Sequence, residues 1–70
     1  MTLNSADIGG DYCLVACNAP HKTRSKLETL GLVPGERINV LQSTGAGLII
    51  EVKHSRLAIA RDLASSLIVS

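Results

Sequence analysis

Tryptophan and phenylalanine are absent from this 70-residue chain, and Tyr12 is its only aromatic residue. A nucleic-acid-binding barrel that stacks bases on aromatic side chains would lack its main tool. Charge of one sign is also missing: seven Lys and Arg face six Asp and Glu, for a formal net charge of +1. That balance does not make the basic footprint of a dedicated nucleic-acid binder. The longest wholly apolar run, Cys13-Leu14-Val15-Ala16-Cys17, falls far short of the ~20 residues a membrane-spanning helix needs. The opening Met1-Thr2-Leu3-Asn4-Ser5 has neither the basic residues nor the following apolar stretch of a secretory signal. A cytoplasmic chain with two free thiols is therefore expected. Length excludes more. A domain this small buries only roughly 60% of its unfolded surface and has little room for a deep substrate cavity. No nucleophile motif is present, and Gly45-Ala46-Gly47 lacks the length and lysine of a phosphate loop. The reading is a non-enzymatic single domain over residues 1–70 with no cofactor and no catalytic residue.

What remains is aliphatic and regularly spaced. Residues 1–10 read as a polar lead-in, with an ordered strand only from about Asp11. Tyr12 to Cys17 has buried-strand character, ended by Asn18-Ala19-Pro20, because proline lacks an amide hydrogen and suits a central strand poorly. From Lys22 to Leu30 the period becomes helical, with Thr23, Leu27 and Leu30 at spacings of four and three. The start is set either by Ser25-x-x-Glu28 as a capping box or earlier, near Pro20 or His21. The end is sharper. With Gly31 in the left-handed position after the helix, Leu32 meets Leu27 as the hydrophobic pair of a Schellman cap. Pro34-Gly35 then suits the two central positions of a type II turn.

Ile38 and Val40 alternate with Arg37 and Asn39, and Leu48, Ile50 and Val52 alternate with Ile49, Glu51 and Lys53. Each set describes a strand with one face in a core. Ser43 to Gly47 reads as the hairpin loop between them, and Lys53-His54-Ser55 as a second tight turn. Arg56 to Ala60 is a further strand with Leu57 and Ile59 inward. Arg61 to Ala64 is a single helical turn, and Leu67 with Val69 a last short strand. Five short strands and one short helix after the first strand predict a mainly β, SH3-like antiparallel barrel, whose closure would protect the strand edges.

The segment Leu27-Glu28-Thr29-Leu30-Gly31-Leu32-Val33-Pro34-Gly35-Glu36-Arg37-Ile38-Asn39-Val40 resembles the L-x-x-L-G-L-x-P-G-x-x-I-x-V segment of FeoA-type proteins. Leu48-Ile49-Ile50-Glu51-Val52, Arg56-Leu57-Ala58-Ile59, Ala64 and Leu67-x-Val69 are similar to the family's later strands, in order. One departure is His54-Ser55, where the family often has a glycine in the turn. The resemblance implies an SH3-like accessory of the bacterial ferrous iron transporter. Its implied partner is the cytoplasmic portion of the FeoB-type transporter, which includes a GTP-binding domain. The rival class is a small SH3-like nucleic-acid-binding module, since Gly35-x-x-Ile38-x-Val40 also fits such barrels.

Cys13, Cys17 and His21 have C-x3-C-x3-H spacing, which invites a metal. A strand separates the two thiols by ~13 Å at ~3.3 Å per residue, too far for one metal ion or a disulfide. Packed or incidental thiols are the reading, with no metal site. His54 reads as a solvated turn residue. Partner binding then falls to the helix and its exit turn: Arg24 and Lys26 supply charge, Leu27 or Leu32 an apolar anchor, and Val33 flanks the turn. Leu41, Ile49 and Ile68 point away from the inward sets and extend a docking patch or a self-association surface.

Overall fold

The computed structural model describes all of residues 1–70. Strand β1 (Asp11–Cys17) is followed by helix α1 (His21–Thr29), then by β2 (Arg37–Ser43), β3 (Gly47–Val52) and β4 (Ser55–Ala60). One helical turn, α2 (Arg61–Ala64), leads into β5 (Leu67–Val69). The strands form one antiparallel sheet in the order β4-β3-β2-β1-β5. Alternation works as expected: Ile38, Val40, Leu48, Ile50, Val52 and Ile59 point into a single aliphatic core with Leu14, Leu67 and Val69. Burying each such side chain is worth roughly 1.5–3 kcal/mol.

The local signals around α1 are realised atom by atom. Gly31 has φ +98°, its N–H donates to the Glu28 carbonyl, and the Leu32 N–H donates to the Leu27 carbonyl. These are the two bonds of a Schellman cap. Gly35 has φ +94°, and the Glu36 N–H closes the turn on the Val33 carbonyl at 3.0 Å. The helix begins at His21 after Pro20, the earlier of the two starts. In the β3–β4 hairpin the left-handed positions are Lys53 and His54, at φ 51° and 66°, and Ser55 already belongs to β4. A two-residue loop with positive φ at both positions is the type I′ turn that matches strand twist.

Three features depart from the sequence reading. Residues 1–10 are not a loose lead-in. Leu3 is 0% exposed in a short 3₁₀ turn (Leu3–Ser5), and the Gly9 N–H bonds the Val40 carbonyl of β2. The second departure is that closure is incomplete as a ladder, because β4 and β5 do not pair. The 3₁₀ turn and α2 join there instead: Asn4 Nδ2 donates to the Arg61 carbonyl at 3.0 Å and Arg61 Nη1 to Asn4 Oδ1 at 3.3 Å. The third is a register shift between Leu14 and Ala16, a bulge at Val15. Strand β1 lies between two neighbours: Asp11 to Cys13 pair with β2, and Leu14, Ala16 and Cys17 pair with β5 on either side of the bulge.

Candidate functional site

The bulge marks the site. Val15 is 50% exposed, on the outward side of β1 with Asp11 and Cys13, and the extra residue there bends the strand. Opposite it stands one face of α1. His21, Arg24 and Glu28 recur at spacings of three and four, so they share that face, while Thr23 and Leu27 turn toward the barrel. Between strand and helix lies a cleft of about 450 Å³, with Val15, Cys17, Leu32 and Pro34 on the apolar side and Arg24 and Glu28 on the polar side. Arg24 Nη2 lies 3.4 Å from His21 Nδ1 at the rim. The cleft thus offers a hydrophobic wall facing a polar one that carries both charge signs.

The residues singled out from sequence divide across this geometry. Arg24 lines the cleft. Lys26 is exposed but stands two residues farther along α1, roughly 200° around the helix axis, so it cannot share a contact surface with Arg24. Leu27 and Leu32, offered as apolar anchors, are 4% and 1% exposed. They are occupied by the core, Leu27 beneath the helix and Leu32 as the floor of the cleft, so neither projects toward a partner. Val33 is half-buried beside the turn and outside the cleft. The exposed apolar residues in this region are instead Val15 and Leu30, the latter at 52%. Sequence reasoning missed Val15 because it sits inside a run of apolar residues, where alternation carries no information. Leu41, Ile49 and Ile68 are half-buried.

The cysteines do not converge. Both are free; Cys13 is exposed, and Cys17 leans on the core and lines the cleft beside His21. No three His, Cys, Asp or Glu side chains come together in an arrangement that could hold a metal ion. A second concavity, about 180 Å³ and wholly polar, lies over Asp11, Glu36, Arg37, Asn39, Glu51 and Lys53. Two pairs of its lining residues bond each other: Lys53 Nζ is 3.5 Å from Glu36 Oε2, and Asn39 Nδ2 donates to Asp11 Oδ1 at 2.8 Å.

The FeoA domain family model matches residues 1–70. The chain belongs to the FeoA family. No curated sequence matches it, but solved structures do. The crystal structure of an iron uptake regulatory protein FeoA is 36% identical, with a TM-score of 0.90 over 99% of this chain and 93% of that one. The solution structure of FeoA from Chlorobium tepidum is 25% identical, with a TM-score of 0.90 over 99% of this chain and 68% of its own. FeoA from Stenotrophomonas maltophilia, solved with zinc and described as a procaryotic SH3 domain protein, superposes with a TM-score of 0.87 at 22% identity, over 100% and 89% of the two chains. That last likeness bears on the fold alone. As a FeoA protein the chain is an SH3-like protein associated with ferrous iron transport. No helix in it is long and apolar enough to cross a membrane.

Proposed function

We propose that this FeoA protein is a non-enzymatic, cytoplasmic accessory that binds the cytoplasmic portion of the FeoB-type ferrous iron transporter through the β1–α1 cleft. The observation that carries this reading is the exposure of Val15 at the bulge of β1, opposite the His21, Arg24 and Glu28 face of α1. An apolar wall facing a wall of mixed charge suits a protein segment that presents an apolar side chain flanked by polar ones. Leu27 and Leu32 support the site from the core, and Arg24 supplies orientation and charge. Family membership supports the association with iron transport, and the S. maltophilia relative is described as a candidate ferrous iron transport activating factor.

The opposed directions of Arg24 and Lys26 provide the test. Calorimetric titration of the full chain into the transporter's cytoplasmic portion should give an affinity at least about tenfold weaker for Arg24→Glu, or roughly 1.4 kcal/mol. Lys26→Glu, on the other side of α1, should change it less than about twofold. Equal effects of the two substitutions, or none from either, would remove the cleft from the interface.

A further inference from the structure

Strand β4 ends the sheet, and its outer side meets no other strand. The hairpin parity identifies which backbone groups face outward. Val52 pairs with Ser55 across the two-residue loop, and hydrogen-bonded pairs then alternate along an antiparallel ladder. Beyond the end of the ladder the Arg61 N–H donates to the Ala46 carbonyl, which fits that parity. Ser55, Leu57 and Ile59 therefore spend their N–H and C=O on β3, and Arg56, Ala58 and Ala60 direct theirs away from it. This edge has little protection. It runs six residues in unbroken register, without proline or bulge, and Arg56 is its only charge. Proteins normally blunt such an edge with several charges, a proline, a bulge or a cover.

The geometry points to a second copy of this chain as the occupant, paired antiparallel through β4 about a two-fold axis at Ala58. In that register the Ala58 N–H of each copy donates to the Ala58 carbonyl of the other, and each Ala60 N–H to the opposite Arg56 carbonyl. Leu57, half-buried in one copy, comes opposite Ile59 of the second. On the outer face Arg56 comes opposite Ala60, beside a shallow groove of about 340 Å³ lined by Ala46, Gly47, Ile49, Ala58 and Ala60. These small residues leave room for the arginine stem, which buries well along apolar surface while its head stays in water. The charges agree with the same register. The basic tip Lys53-His54-Ser55-Arg56 of one copy approaches exposed Asp62, two residues past Ala60, in the other. A parallel arrangement would set Arg56 against Arg56. One strand pair is a small contact, below the ~1,200 Å² of total buried surface typical of stable complexes, so the dimer is concentration-dependent.

Sedimentation velocity on the full chain from micromolar to millimolar concentration tests this. Wild type should move from monomer to dimer, and hydrogen exchange at the Ala58 and Ala60 amides should slow over the same range. Ala58→Lys sets two ammonium groups against each other across the two-fold axis. It should raise the dimer dissociation constant at least about tenfold while leaving the circular dichroism spectrum unchanged. Arg56→Glu should weaken the dimer, and adding Asp62→Lys should restore it. A chain that stays monomeric at millimolar concentration overturns the proposal and leaves the edge to an extended segment of another protein. A dimer indifferent to Ala58→Lys, with freely exchanging Ala58 amides, overturns it as well.

Discussion

The two ends of the sheet are finished differently. At the β5 end the chain covers itself: the Val69 N–H donates to the Met1 carbonyl at 2.7 Å, the N-terminal ammonium donates to the Val69 carbonyl at 3.1 Å, and Thr2 bridges Ile68. At the β4 end nothing of this kind occurs, although β4 is twice as long, six residues against three. The short strand needs its cover because it brings few ladder bonds of its own. Its cover is anchored in turn by Leu3 in the core and by Arg61, whose guanidinium also donates to Ser43 Oγ at 3.0 Å and to the Thr44 carbonyl. The longer strand is held by a full ladder to β3, so its outer side is free for contact without cost to the fold.

The largest effect should come from removing the anchor of the covered end. Leu3→Ala should cost about 2–5 kcal/mol in urea unfolding, the range for truncating a fully buried leucine. Against the roughly 5–15 kcal/mol by which a domain is stable, that is a large share of the whole. Arg61→Ala should cost less, about 1–2 kcal/mol, since its hydrogen bonds are only part-buried and water replaces some of them. It should also loosen the covered end specifically, speeding amide exchange at Val69 while sparing Ile50 in the middle of the sheet. The smallest effect on stability belongs to the bare end. Ala58→Lys, at an exposed position, should stay within about 0.5 kcal/mol of wild type in the same urea experiment. If Ala58→Lys destabilised the monomer as much as Arg61→Ala, the β4 edge would be covered after all and the contrast between the ends would be lost.

Much of the fold was legible because its signals are local. Gly31 with Leu27 and Leu32, and Pro34 with Gly35, specify the helix stop and the turn within nine residues, and the structure satisfies both cap bonds. Alternation in β2 and β3 assigned their faces correctly for the same reason: a neighbour two positions away decides the face. The site was less legible. Arg24 lines the cleft, while Lys26, close to it in sequence, lies on another side of the helix, where residues two apart do not share a face. Leu27 and Leu32 were offered to a partner although their cap contact already commits them to the core. Val15 is not distinguished by the sequence, since Leu14, Val15 and Ala16 are all apolar and only the packing of Leu14 into the core shows which way the middle one faces.

By itself, then, the sequence determined the periodicities, the caps and turns, and through them the SH3-like fold and the FeoA family. The absence of aromatics and the balanced charge, also read directly, set the character of the surface. Tertiary structure alone decided that residues 1–10 belong to the barrel, that Val15 faces a cleft, and that one sheet end is covered and the other bare. Each of these depends on residues far apart in the chain, up to 68 positions for the Met1 to Val69 bond. Contacts of that range leave no period in the sequence, because they are chosen by which surfaces meet once the local elements have formed.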